Sequence, residues 1–298
     1  MKEFRKYKIK SCLIKQNSEI ILEYYSNEKV ADKLQKINSC TKSFAGTLVG
    51  ICLDRGLIED IDIPIKYYFP EIIGNDTDNR KQRITLRHLL SMSEGLDWPE
   101  FGEWNCFAPM AYSKDILNFV LSRPMVSEPG EKMNYNSGDS HIIGEIVAKV
   151  TGMKLVDFAE KELFMPLGIK DIQWLERDGH ALCADGLRMK TSDMIKLGEL
   201  YMNGGIFNSC RIVSEEWIQE ALTPRYLTYE YIGSYCYHWW YTEFSLRIGK
   251  TPVSFALGYH GQFIVIISSL KIVAAITSEV NDSMLPIRVL EKYIDSII

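Results

Sequence analysis

The sequence predicts an α+β fold: an antiparallel sheet built from N- and C-terminal strands, flanked by helices and carrying an inserted, mainly helical subdomain. Two observations predict it. Strand-like runs of mixed apolar and polar residues sit at both ends of the chain, and helical periodicity dominates the stretch between them. This divides the chain into a sheet domain of residues 1–64 and 185–298 and a helical subdomain of residues 65–184.

Taken in order, Tyr7 to Ile14 and Glu19 to Tyr25 read as a β-hairpin, with Lys15 to Ser18 as its turn. A helix follows from about Ser39 to Arg55. Phe44, Ala45, Leu48, Val49, Ile51 and Cys52 leave it nearly apolar all round, hence buried, and Gly56 is placed to end it. Thr85 to Ser91, Ser113 to Leu121, Ser140 to Thr151 and Leu155 to Leu163 are the helices of the insert. Thr191 to Asn203 is another, with Thr191 or Ser192 as cap and Gly204-Gly205 as stop, and Ser214 opens a further one. His238 to Phe244, Val253 to Leu257, Gln262 to Ser268 and Ile272 to Ser278 are strands rich in Val, Ile, Phe and Trp. A last helix runs from about Met284 to Ile297.

Composition narrows the function. The 298 residues are 46% hydrophobic and 24% charged, which suits a globular chain with a sizeable core and excludes a disordered or fibrous one. A formal net charge of −5, with no basic face, argues against nucleic acid as a partner. The charged start of the chain lacks the apolar core of a secretory signal. The most apolar tract, Gln262 to Thr277, is broken by Ser268, Ser269 and Lys271, so no membrane helix is expected. Seven cysteines without a CxxC pair point to reduced thiols. The expectation is a cytoplasmic protein with a small-molecule substrate and no membrane partner.

Three short motifs carry the chemistry. Ser39-Cys40-Thr41-Lys42 is an S-x-x-K at a helix start, and its i, i+3 spacing puts hydroxyl and amine on one face. The free N–H groups of a helix N-terminus favour a developing oxyanion there. To act as base, Lys42 has to be neutral, and bringing its pKa from about 10.4 towards 7 amounts to roughly 4–5 kcal/mol, which burial or a nearby cation has to supply. Ser26 to Lys29 and Ser268 to Lys271 match the same pattern, but neither opens a buried helix.

Tyr135-Asn136-Ser137 follows a run of turn formers and precedes a helix, so a loop presents the Tyr135 phenol to a cleft, where it can relay protons. Tyr25-Ser26-Asn27 copies the pattern at the end of the first hairpin and is set aside. The third motif is Gly258-Tyr259-His260-Gly261-Gln262 before a strand, where glycines let a strand edge approach a substrate and an N–H can supply a second oxyanion donor. His88, His141, His180 and His238 form no metal-binding pattern and read as structural. Trp98, Trp104, Trp239 and Trp240 read as packing or as aromatic walls of a cleft.

In this order and at these separations, the three motifs resemble the serine β-lactamase and penicillin-binding-protein superfamily, specifically its class C and CubicO-like hydrolases. Asn38 to Phe44, Ile84 to Trp98, Phe164 to Ile169 and Asp185 to Met189 extend the resemblance over nearly the whole chain. It implies the β-lactamase/transpeptidase-like fold, with the nucleophile where sheet and helical subdomain meet, and an acyl-enzyme mechanism with no metal or other cofactor. Carried over, Ser39 is the nucleophile, Lys42 its general base and Tyr135 the proton relay, and the backbone N–H groups of Ser39 and Gln262 form the oxyanion hole.

Two departures stand out. Ser137 replaces the Asn that ends the family's Y-x-N motif and contacts the acyl carbonyl. Where many members have Lys or His, Thr, Gly, this chain has Tyr259-His260-Gly261 or, shifted by one, His260-Gly261-Gln262. Ser137, Tyr259, His260 and Gly261 are thus the substrate-binding candidates, and poor activity on penicillins and cephalosporins is expected. Glu94 and Asp97 lie in a family-like loop, and nothing in the sequence marks either as a deacylation base. The function expected is hydrolysis of an amide or ester through an acylated Ser39. The alternatives are a slowly acylating sensor or binding protein and a DD-peptidase.

Overall fold

The computed structural model describes residues 2–74 and 76–298. Its centre is an eight-stranded sheet of β1 (Ile9–Gln16), β2 (Glu19–Tyr25), β3 (Tyr226–Leu227), β4 (Ser234–Tyr235), β5 (Trp240–Leu246), β6 (Gly249–Gly258), β7 (Gln262–Ile267) and β8 (Ile272–Ser278). Their spatial order is β3-β4-β5-β6-β7-β8-β1-β2, and every neighbouring pair is antiparallel. The two ends of the chain therefore meet inside one sheet: β1 lies against β8, with Cys12 opposite Ile276 and Gln16 opposite Ile272. β7 and β8 are buried on both faces, which explains why they read as unbroken apolar runs.

Apolar residues pack on each side of the sheet. Helix α1 (Thr41–Asp54) is buried almost throughout and sits in the larger cluster, against α2 (Ser137–Thr151) and α3 (Thr191–Met202). That cluster runs without a break from Leu13, Ile264 and Val273 of the sheet through Leu48 to Ile84 and Ile146 of the helical insert. On the opposite face α4 (Leu285–Ile297) buries Ile287, Leu290 and Ile294 with Phe4, Ile14 and Val265. No helix among the described residues is long and apolar enough to cross a membrane.

Local chemistry moves several element ends. Ser39 lies in a 3₁₀ turn, Asn38–Cys40, and the α-helix itself starts at Thr41. Neither Thr191 nor Ser192 caps α3: Lys190 precedes the helix, and the buried Thr191 hydroxyl is 2.6 Å from Ser11 Oγ on the sheet. α2 begins three residues before its expected start because Asn136 caps it, its Oδ1 accepting from Gly138 N–H at 2.7 Å. Tyr135 and Ser137 thereby flank a helix cap.

Candidate active site

The site forms where the Asn38–Cys40 turn, the start of α2, the loop before residue 187 and the β6–β7 hairpin converge. Ser39 is partly exposed, while Lys42, one turn further on, is only 2% exposed. Lys42 Nζ is 3.2 Å from Ser39 Oγ, 3.1 Å from Ser137 Oγ and 2.9 Å from the carbonyl oxygen of Ala184. Burial lowers its pKa from 10.5 to about 8, with the charges of Glu100 and Asp185 opposing the fall. The Asp185 to Met189 stretch therefore matters through the carbonyl just before it, which anchors the amine.

Tyr135 is buried, its ring stacked between Trp240 and Phe101 at centroid distances of 5.9 Å each, with Lys42 Nζ 5.2 Å from the ring centre. Burial pushes its phenol well above the usual range, and the hydrogen bond with the Ser39 side chain works against that rise. The phenol stays protonated and can donate. Trp98, Trp239 and Trp240 are packed inside, and Trp104 is exposed.

The structure also brings in a residue that the sequence reading missed. Ser137 gives its O–H to Glu100 Oε1 at 2.5 Å and its N–H to Glu100 Oε2 at 3.0 Å, while Trp98 Nε1 donates to Oε2 at 2.6 Å. Ser137 is thus in the site, but its single hydroxyl proton is committed to a carboxylate. Nothing in the pattern of residues 97–106 signals Glu100, because its partner is distant in sequence.

In the third motif, the β6–β7 hairpin is tied to the nucleophile's turn: Asn38 Nδ2 donates to the Tyr259 carbonyl at 2.7 Å, and a Cβ on Gly258 would lie 2.3 Å from the Ile37 carbonyl oxygen. Glycine at 258 is what permits that approach. The Tyr259 N–H finds no acceptor among the described residues. The rest of the motif divides: the Gln262 carbonyl accepts from Cys40 Sγ at 3.4 Å, beside the nucleophile, while other groups are held from the far side. His260 Nδ1 is 3.0 Å from the Val280 carbonyl, Gly261 (φ +80°) has its open side against Pro286 and Ser278, and Gln262 pairs with Gly258 in the ladder with its amide on Ser278.

Beneath the site two carboxyls are fully buried. Asn136 Nδ2 donates to Glu94 Oε1 at 2.9 Å, while Glu94 Oε2 and both Asp139 oxygens find no N–H or O–H donor among the described residues. The two carboxyls meet, and burial together with the Glu94 charge holds Asp139 well above the carboxylate range. One proton kept on Asp139 turns the contact into a hydrogen bond. His238 clamps α1 to α2, its ring against the Lys42 carbonyl at 3.0 Å and Ser140 Oγ at 3.3 Å, and burial brings it down to about 3. The Ser26 and Ser268 motifs are solvent-exposed.

Fold and site together define the class: a serine hydrolase architecture in which a helical layer on an antiparallel sheet sets a lysine one turn beyond the serine. The chain belongs to the beta-lactamase family, whose model matches residues 25–295. It is 25% identical over 274 residues to a 6-aminohexanoate-dimer hydrolase of Paenarthrobacter ureafaciens, a match covering 84% of this chain and 67% of the relative. Other curated relatives are spanned over 29% to 50% of their own length. Among solved structures, a D-stereospecific amidohydrolase from Streptomyces sp. superposes with a TM-score of 0.76 at 16% identity, covering 96% of this chain and 97% of that one. A class C beta-lactamase from Rhodobacter sphaeroides gives 0.71 at 16% identity, covering 97% and 95%. These likenesses establish the fold.

Proposed function

We propose that this chain hydrolyses a small-molecule amide or ester through an acyl intermediate on Ser39. The observation that carries the reading is the buried Lys42 amine 3.2 Å from a Ser39 hydroxyl that solvent can reach. Neutral Lys42 takes the Ser39 proton as Oγ bonds to the substrate carbonyl carbon. The tetrahedral oxyanion is held by the N–H of Ser39 and by one N–H of the β6–β7 hairpin, that of Gln262 or of Tyr259, both residues having their carbonyls bonded to the nucleophile's turn. As the intermediate collapses, the bond to the amine or alcohol breaks and the proton passes from Lys42 through the Tyr135 phenol to the leaving group. Water then attacks the acyl carbon by the same steps reversed.

Slow deacylation is a second reading, favoured by the two carboxylates of the family-like loop, neither of which the sequence marked as a base. Glu94 is sealed against Asp139, and Asp97 pairs with Arg123 at 3.1 Å, so neither is free to activate water. The unpaired thiols support a reducing, cytoplasmic setting, and the net charge of −5 supports a small-molecule partner over nucleic acid. A fluorophosphonate probe followed by intact-mass and peptide mapping tests the main reading. Label on Ser39, and none on Ser26 or Ser268, is the expected result. An unlabelled Ser39 in folded protein overturns it.

A further inference from the structure

Glu100 plays no part in the steps above, yet it is the most firmly held carboxylate at the site. Three donors fix it: Ser137 O–H, Ser137 N–H and Trp98 Nε1–H. Among the described residues it has no Lys, Arg or His at ion-pair distance, and the cation it reaches along hydrogen bonds is Lys42, through Ser137.

A hydroxyl has one hydrogen. Because Ser137 gives it to Glu100, only lone pairs of Ser137 Oγ face Lys42 Nζ. The Ala184 carbonyl, the second fixed neighbour of the amine, also only accepts. A neutral amine carries two N–H bonds and one lone pair. With both N–H bonds drawn to Ser137 and Ala184, the lone pair is left facing the third neighbour, Ser39.

We propose that Glu100 is a positioning residue: by taking the Ser137 proton, it fixes Ser137 as an acceptor and aims the Lys42 lone pair at the Ser39 hydroxyl. This rests on the reading of Ser39 as nucleophile and Lys42 as its base. In Glu100→Gln the amide can donate to Ser137 Oγ, which frees the Ser137 O–H to turn onto the amine and occupy its lone pair.

The same substitution removes a negative charge that holds Lys42 in its charged form, and the surroundings of Lys42 show why this charge counts. Cys40 beside it and Cys183 in the neighbouring loop are buried thiols pushed up by burial. From α2, Asp139 keeps its proton and burial brings His141 down to about 4, while His238 from the segment before β5 falls to about 3. Tyr135 stays protonated. Glu100 and Asp185 are the carboxylates whose charges act most on Lys42, and Asp185 is already paired with Lys36 at 2.9 Å.

The test compares wild type, Glu100→Gln, Glu100→Asp and Ser137→Ala, after thermal melts confirm that each folds. The rate of Ser39 labelling by a fluorophosphonate and the hydrolysis of p-nitrophenyl acetate are each followed from pH 5 to 10. Glu100→Gln should lower the high-pH plateau by about 10- to 100-fold and move the acid-limb inflection down by roughly one pH unit, the size expected for removing a charge two hydrogen bonds away. Glu100→Asp, which keeps the charge, should hold the inflection near the wild-type value. With Ser137→Ala as background, Glu100→Gln should change the plateau little. An unmoved inflection in Glu100→Gln overturns the proposal whether or not the plateau falls, since a mere loop anchor would lower rates uniformly. Wild-type protein that is never labelled at Ser39 fails the proposed function itself, and that result is read before any variant is made.

Discussion

Asn38 and Tyr259 are joined by a 2.7 Å hydrogen bond from Nδ2 to the carbonyl oxygen, which ties the turn carrying the nucleophile to the hairpin on the opposite side of the cleft. The bond fixes the distance between Ser39 and the Tyr259 peptide. Gly258 allows it, because any side chain there meets the Ile37 carbonyl.

Gly258→Ala should therefore push the hairpin off the nucleophile's turn. A backbone oxygen at 2.3 Å cannot swing aside as a side-chain tip can. Acylation of Ser39 should fall by about 10²-fold, as when one oxyanion donor is lost. Burst kinetics with an activated ester measure this, and a wild-type burst rate would show that the hairpin does not need to sit so close.

Lys42→Met should abolish acylation within detection, a loss of several powers of ten, yet make the protein more stable at pH 7. The folded pKa of Lys42, about 8, lies below the unfolded value of 10.5, so the charged form is disfavoured in the fold. Below pH 8 that cost is fully present, and it disappears as pH rises towards 10.5. The melting temperature of the variant should exceed wild type by a few degrees at pH 7, with the gap narrowing by pH 10.

Tyr135→Phe keeps the rings stacked on Trp240 and Phe101 and removes only the phenol. We expect kcat to fall by about 10²–10⁴-fold, KM to change little, and the melt to stay within a degree or two of wild type. Full activity would take the proton relay away from Tyr135.

Asp139→Asn should flatten part of the stability profile. Asp139 has a folded pKa well above 3.8, so the folded state binds the extra proton and wild-type stability declines as pH rises above about 4 until that folded value is passed. The variant, with an amide that can donate to Glu94, should lose less stability between pH 5 and 9 in urea melts. Parallel profiles would show that the pair shares no proton.

The meeting of side chains at fixed spacing was legible in the sequence. Ser39 and Lys42 come together through one helical turn, and their copies at Ser26 and Ser268 could be set aside because neither opens a buried helix. The strands of the C-terminal half were legible for a similar reason: β7 and β8 are apolar on both faces. Chemistry carried by peptide groups was harder to read. The sequence pointed to Gln262 for the second oxyanion donor; the carbonyls of both Tyr259 and Gln262 are bonded to the Asn38–Cys40 turn, and an N–H leaves no mark in residue type. Glu100 escaped because it meets Ser137 only through the fold. The start of α2 could have been placed better: Asn136 ahead of the helix is a cap signal. The helix Phe107–Tyr112 was missed because Pro109 reads as a breaker, although a first turn accepts it.

The pairing of β1 with β8 places strands from opposite ends of the polypeptide side by side in the middle of the sheet. Cys12 and Ile276, which face each other, stand 264 positions apart (276 − 12), so this pairing is among the longest-range contacts that the fold makes. Until that pairing forms, the hairpin of β1 and β2 keeps one long edge open, with Lys10 and Lys15 along β1 to discourage wrong partners. The sheet beneath the Ser39 turn is thus closed by a long-range pairing rather than by a local one.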